Sequence, residues 1–328
     1  MDTHARILIA GHTGLLGSSL LARLESLGYD RLLTPGHDEL DLTDSAAVDA
    51  FFAAERPEFV FLAAGMTGGI VANMTYPADL LHVNIAIQDA VFEAAVRRHV
   101  GRVVTYASSC VYPREAAQPI REDSLFSGPI EMTSAAYAAA KTALIIACRA
   151  YNAQHGAGRF ICLLPNSMFG PNDNFDPRTG HVLSGMLMKF HVAKLARDGG
   201  EDVSVTLWGS GEPRREFVFV DDVADASIFA LDHAHEMGDR HYNVGSGKDM
   251  TIRELAERIA AVVGYDGAVE WDAGKPDGTM RKLLDSADFR ALGWAPSTSF
   301  DEGLRRTYEW LAAYGPGAKG AWDDVPLR

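Results

Sequence analysis

The run RILIA at positions 6–10 leads directly into Gly11, His12, Thr13, Gly14, Leu15, Leu16 and Gly17, and apolar residues then recur at Leu16, Leu20, Leu21, Leu24 and Leu27. That is a buried strand, a G-x-x-G-x-x-G turn and an amphipathic helix in immediate succession. Glycines at this spacing let backbone N–H groups approach a pyrophosphate closely, and the helix N-terminus adds the positive end of its dipole. A glycine triad alone is weak evidence. Its position at the first strand-to-helix turn is what gives it weight.

The rest of the chain keeps the same rhythm. Strand-like runs lie at 59–63, 102–107 and 160–164, and helical patterns at 79–99 and 137–155. Alternation at this pace implies βαβ units and a Rossmann-type, doubly wound α/β fold with a mostly parallel sheet. Apolar runs of this length fit strands covered on both faces. After Pro165 the pattern loosens. Residues 166–215 are rich in Gly, Pro, Asn and Asp, with one helix near 181–197. A strand is expected at 216–220 and a helix at 221–237. Thr251 and Glu254 form a capping box for a helix at 252–263, and a short strand and two helices follow over 269–311. The expected division is a dinucleotide-binding unit at 1–165 with 216–240. A smaller C-terminal α/β substrate unit takes 166–215 and 241–328.

A length of 328 residues accommodates such a pair. Thirty Lys+Arg against 44 Asp+Glu give a net charge of −14, which argues against broad nucleic-acid binding and against anionic membranes. Cys110, Cys148 and Cys162 make neither a disulfide framework nor the usual zinc knuckle, so no metal is expected. The apolar run at the N-terminus is too short for a signal peptide, and no stretch is long enough to span a membrane. The expectation is a soluble protein of the reducing cytoplasm.

Cofactor choice depends on the end of the second strand, where NAD enzymes commonly place an acid for the ribose 2′-OH. Here that place reads LTPGH at 33–37, without a carboxylate. The gap leaves room for a 2′-phosphate that His37 can help bind, while Asp41 falls on the adenine side. NADP(H) is favoured, with NAD(H) left open.

Tyr137 and Lys141 stand four residues apart on one helix face. A phenol is a poor acid–base group at neutral pH, and an ammonium one turn away stabilises phenolate. The same Lys can hold a nicotinamide ribose. Ser108 and Ser109 end the third strand, at the carboxyl edge where α/β sheets bind ligands. A hydroxyl there can share a substrate carbonyl with Tyr137 and stabilise oxyanion charge.

The order of glycine turn, Ser108-Ser109-Cys110-Val111-Tyr112-Pro113 and Y-x-x-x-K resembles the extended short-chain dehydrogenase/reductases, and within them the GDP-L-fucose synthases. The segments Gly68-Gly69-Ile70, Gly170-Pro171-Asn172-Asp173, Trp208-Gly209-Ser210-Gly211, Arg215-Glu216-Phe217, Asn243-Val244-Gly245 and Lys275-Pro276-Asp277-Gly278 carry that resemblance over almost the whole chain. It implies a 3,5-epimerase-4-reductase acting on GDP-4-keto-6-deoxy-D-mannose. It also implies a cofactor site that adds Leu42, Ala107, Pro165, Ser167, Met168 and His181 to the turn, and substrate contacts at Ser109, Lys189, Trp208, Arg215 and Asp277. Cys110 and His181 would serve epimerisation. A C4 ketone acidifies the protons on C3 and C5, and inversion needs one group on each face of the sugar. Thiol and imidazole both titrate close enough to neutral pH for this. By itself Cys110 reads as a small buried apolar residue and His181 as a capping or surface histidine.

The chain departs from the family pattern at several places. Thr13 and His37 stand where Arg is common, Met66 where Lys is, and Ser134-Ala135-Ala136 precede Tyr137 in place of N-E-P. P-T-N-L-Y-G becomes Pro165-Asn166-Ser167-Met168-Phe169-Gly170, and Lys189 replaces an Arg. The acid–base groups survive while the pocket wall changes. A related sugar is therefore the alternative substrate, a GDP-4-keto-6-deoxyheptose or a 3,6-dideoxyhexose, with only epimerase or only reductase activity a further option. The helix from Tyr137 is apolar on more than one face, which with the family's four-helix contact implies a homodimer.

Overall fold

The computed structural model describes residues 1–275 and 277–314. In chain order, β1 (Ile7–Ala10) leads into α1 (Leu15–Ser26), β2 (Leu32–Leu33), α2 (Ser45–Glu55), β3 (Phe59–Leu62), α3 (Ile70–Thr75), α4 (Pro77–Arg97), β4 (Arg102–Tyr106), α5 (Ala135–His155), β5 (Phe160–Pro165) and β6 (Ser167–Phe169). Then come α6 (Val182–Asp198), β7 (Val205–Trp208), β8 (Arg214–Phe219), α7 (Val220–Asp232), α8 (Ala234–Met237), β9 (His241–Val244), β10 (Asp249–Thr251), α9 (Ile252–Val263), β11 (Val269–Asp272), β12 (Arg281–Lys282), α10 (Ala287–Ala291) and α11 (Phe300–Tyr314).

The main sheet has six parallel strands in the order β2-β1-β3-β4-β5-β9. Both its faces are covered, which is why its strands read as unbroken apolar runs. Successive residues alternate between two cores. Leu8, Val60, Val103 and Cys162 enter the core under α2, α4 and α5, while Ile7, Ile9, Phe61, Val104 and Ile161 enter the core under α1 and α7. The strand order reverses between β1 and β3, so a crevice opens there at the carboxyl ends, the place where such sheets take nucleotides.

A third core holds the smaller unit together. Phe169, Leu187, Phe190, Leu207, Phe217, Phe219, Leu255, Ile259 and Leu304 form it. The Thr251–Glu254 capping box is present in both directions, and α9 ends on Gly264 in the left-handed conformation.

Two strands lie on the other side of the expected boundaries. β8 was expected within the first unit, but it pairs with β6, β10 and β12 and not with the main sheet. Its alternation explains this: Phe217 and Phe219 enter the third core and only Val218 reaches the main one. The following helix α7 does return and packs against the sheet with α1. Conversely β9, expected beyond the first unit, is the sixth strand of the main sheet, paired to β5. Residues 315–328 of the expected second unit, and Pro276 of the Lys275–Gly278 motif, lie outside the described residues.

Candidate active site

The glycine turn closes on the crevice as the sequence implies. Gly11 has φ +86°, and a Cβ there would lie 2.8 Å from the Ala64 backbone nitrogen just beyond β3. A Cβ on Gly17 would collide with the Gly11 carbonyl oxygen. Two chain segments thus meet backbone to backbone, leaving N–H groups at the start of α1 as the lining. This cradle fits a pyrophosphate. His12 and Leu15 are half-buried and Thr13 is exposed, whereas Leu16 is core, so only its backbone reaches the crevice. His37 is exposed after β2. The Asp41 carboxylate accepts from the Thr43 N–H at 2.9 Å and hydroxyl at 2.7 Å, bonds that pull it below the usual range, with His37 adding a smaller pull. Leu42 packs against the first core. Ala107 and Pro165 are buried at the ends of β4 and β5, and Ser167 and Met168 are half-buried on β6.

At the end of β4 the structure gathers four of the expected catalytic residues. Ser108 faces both the Tyr137 phenol and the Cys110 thiol and draws the pKa of each down. Lys141 Nζ donates to the Tyr106 carbonyl at 3.0 Å and stands 5.7 Å from the centre of the Tyr137 ring. Burial pushes the Tyr137 phenol far above its ordinary value, Cys110 adds to this, and only Ser108 opposes it. The expected phenol made acidic by Lys141 is therefore not what the geometry gives. The ammonium is turned to a carbonyl, and Tyr137 is held as the protonated phenol. Burial also lowers Lys141, partly offset by Cys110 and Cys162. The Cys110 thiol is pushed up by burial and drawn back by Ser108, Lys282 and Lys141.

His181 lies on a different element from the other four. It is the exposed N-cap residue of α6, and its carbonyl accepts from the Gly185 N–H at 2.9 Å. A Cβ on Gly69 would lie 2.6 Å from the Gly180 carbonyl, so the start of α3 and the approach to His181 are in contact. Beneath the helix start, buried Asp173 is hydrogen-bonded by Ser184 and by the Asn174 N–H at 2.7 Å. Burial raises this carboxyl while the His181 ring draws it down.

The other residues expected at the nucleotide sugar spread over α6, β7, β8 and the connection between β11 and β12. Lys189 donates to the Thr206 carbonyl at 3.1 Å and is lowered by burial. Trp208 is 53% exposed, with Lys275 Nζ 5.3 Å from its ring centre. Asp277 accepts from the Ser210 N–H at 2.7 Å and hydroxyl at 2.9 Å, tying its turn to the end of β7. Arg215 donates to the Arg214 carbonyl at 2.8 Å and is lowered by burial. Sequence reasoning missed Lys282. It pairs with Arg215 across β12 and β8 and shares a cleft with Ser109, Cys110 and Glu131. Burial lowers its ammonium, with Cys110 and Arg215 acting in opposite directions. Its proximity to the motif at 275–278 was the available signal. Among the described residues no cluster of metal-ligating side chains occurs, and no helix is long and apolar enough to cross a membrane.

Comparison with known proteins places the chain in a family. The profile of the NAD dependent epimerase/dehydratase family matches residues 7–245. GDP-L-fucose synthase 1 of Arabidopsis thaliana is 47% identical over 309 residues, 94% of each chain. GDP-L-fucose synthase of Escherichia coli K12 is 46% identical over 313 residues, 93% of this chain and 96% of that one. A GDP-mannoheptose C4 reductase from Campylobacter jejuni, solved with NADP bound, superposes with a TM-score of 0.87 at 34% identity, covering 95% of this chain and 99% of the other. The chain belongs to the GDP-L-fucose synthases within the NAD dependent epimerase/dehydratase family.

Proposed function

We propose that this protein makes GDP-L-fucose, inverting C3 and C5 of GDP-4-keto-6-deoxy-D-mannose and then reducing C4 with NADPH. The observation that carries the reading is the Ser108–Tyr137–Cys110 cluster at the end of β4, in the sheet whose crevice the glycine turn closes. The glycine turn would hold NADPH, whose ribose Lys141 would contact and which, when bound, would supply the hydride for C4. Ser108 and Tyr137 hold the sugar's C4 oxygen and stabilise the enolate charge as a C3 or C5 proton leaves. Cys110 and His181 take and return those protons from opposite faces of the ring. Tyr137, kept protonated by its burial, then donates a proton to the C4 oxygen. Arg215 and Lys189 bring cations to the pyrophosphate, Ser109 meets the sugar, and Trp208 offers a flat apolar face beside it. Asp277 fixes the Trp208 turn through Ser210 and lies within reach of the nucleoside.

A second reading keeps the chemistry but changes the sugar to a 6-deoxyheptose or a 3,6-dideoxyhexose, with one of the two activities lost. The altered wall at Met66, Asn166, Ser167 and residues 134–136 favours it, as does the likeness to a heptose reductase. A panel of GDP-4-keto sugars, run with NADPH and NADH and read by product NMR, separates the two. GDP-L-fucose as the main product supports the first reading, and turnover confined to heptose or dideoxy substrates supports the second.

We infer a dinucleotide unit around the six-stranded sheet and a nucleotide-sugar unit around the two smaller sheets, with the substrate between them. We also infer a homodimer in the cytoplasm. α4 and α5 pack side by side and leave Ile85 and Ile146 40% and 48% exposed, an apolar face suited to a second copy. Three unpaired cysteines fit a reducing compartment. A light-scattering mass of twice 35.5 kDa is expected, and a value near 35.5 kDa would contradict the dimer.

A further inference from the structure

Glu216, beside Arg215, is a buried acid the mechanism has not used. Its side chain is completely buried on β8, between Arg215 and the third core. Three donors converge on its carboxylate: Asn166 Nδ2 at 2.7 Å, the Gly247 N–H at 2.6 Å and the Leu284 N–H at 3.0 Å. All are N–H groups, so the ionised acid, which only accepts, is the form that satisfies them. Gly245 makes the close approach possible, since a Cβ there would collide with both carboxylate oxygens. This accounts for the glycine of the Asn243–Gly245 segment.

Asn166 continues the chain of bonds toward the reacting groups. Its side-chain oxygen accepts from Ser109 Oγ at 3.2 Å, and its amide also reaches the Lys282 carbonyl at 3.4 Å. One buried amide therefore joins the end of β4, the end of β5, β8 and β12. Those four segments carry Cys110, Arg215 and Lys282. The register between β8 and β12 sets Lys282 opposite Arg215, and the Glu216 carboxylate, one residue after Arg215, accepts from the Leu284 N–H two residues after Lys282 and so ties the two segments together.

We propose that Glu216 and Asn166 are positioning residues that fix the spacing between the acid–base end of the pocket, at Ser109 and Cys110, and its cationic end, at Arg215 and Lys282. A sugar held by its diphosphate presents C3 and C5 to Cys110 only if that spacing is right. Displacing reacting atoms by an ångström from a distant mutation can cost on the order of a hundredfold in rate. The glycine turn shares none of these bonds, so its hold on the dinucleotide phosphates does not depend on them.

The proposal rests on the assignment of Arg215 to the nucleotide sugar, and the experiment separates the two. Glu216→Gln places an amide N–H against a backbone N–H while keeping the volume. Asn166→Ala removes the link and leaves Glu216 two of its donors. Each is compared with wild type and Arg215→Ala for NADPH affinity, KM for GDP-4-keto-6-deoxy-D-mannose and solvent deuterium wash-in at C3 and C5. Active-site titration with NADPH corrects for the folded fraction. In Glu216→Gln NADPH affinity stays within about twofold, and in both positioning variants deuterium wash-in falls and KM rises by about tenfold or more. Unchanged wash-in and KM per folded molecule in the two variants, alongside a raised KM in Arg215→Ala, would overturn the positioning role. An unchanged KM in Arg215→Ala would instead overturn the assignment beneath it. Should Glu216→Gln fail to fold, Asn166→Ala decides alone.

Discussion

Lys141 and Tyr137 share a helix face, yet the ammonium donates to the Tyr106 carbonyl at 3.0 Å and stands 5.7 Å from the phenol ring centre. The pair is therefore split in its work. Lys141 is anchored to the end of β4, and Tyr137 keeps its proton because burial and the Cys110 thiol disfavour phenolate. Tyr137→Phe should lower NADPH oxidation by a factor on the order of 10²–10⁴, the usual worth of a general acid. NADPH binding, followed by fluorescence, should be unchanged. Oxidation within twofold of wild type would remove the phenol from the mechanism.

Cys110 and Tyr137 both face Ser108 but serve different steps of the proposed reaction. Cys110→Ser should depress epimerisation while sparing reduction of a 4-keto sugar already in the product configuration. Reduction of such a sugar and deuterium wash-in are measured side by side. Equal loss of both would contradict the division of labour.

Gly17 packs against the turn so closely that any side chain displaces the Gly11 carbonyl. Gly17→Ala should weaken NADPH binding by about tenfold or more, a loss of about 1.4 kcal/mol. His37→Asp should narrow the preference for NADPH over NADH by putting a carboxylate near the 2′-phosphate. Titration with both cofactors reads the two effects, and unchanged affinities would place the dinucleotide elsewhere.

Buried His241 is held neutral. Its Nδ1 lies 3.1 Å from Arg149 Nη2, which must donate, so Nε2 carries the proton and donates to the Tyr112 oxygen at 3.1 Å. Burial first, then Arg149 and Arg240, push its pKa down to about 4. The unfolded chain, with a His near 6.5, binds that proton more readily, so the stabilisation is complete above about pH 6.5 and is lost as pH falls toward 4. About 2 kcal/mol should be gone by about pH 5. Urea unfolding at several pH values should show a shallower slope in His241→Gln, and parallel curves would contradict the assignment.

Much of this was legible in the sequence because β1, β3, β4 and β5 are covered on both faces and announce themselves as apolar runs. The glycine turn, the Tyr137–Lys141 spacing and the Thr251 capping box are local signals, and each falls where the residues placed it. What escaped was set by tertiary contact. α2 opens on an Asp44 cap but buries only Val48 and Phe52, too little for an apolar stripe to stand out. β9 spells HYNV, with His241 and Asn243 buried in a polar network that hides its strand character. β8 looked like a main-sheet strand because alternate residues serve different cores. Lys282 and Asn166 gain their meaning only from neighbours fifty or more residues away in sequence.

The reaction itself is read by incubating the enzyme with GDP-4-keto-6-deoxy-D-mannose and NADPH in deuterated water and following the product by NMR. Deuterium at both C3 and C5, the L-fuco configuration, and one NADPH consumed per product are expected. A reduced product with neither carbon labelled would leave Cys110 and His181 without a role and reduce the protein to a plain carbonyl reductase.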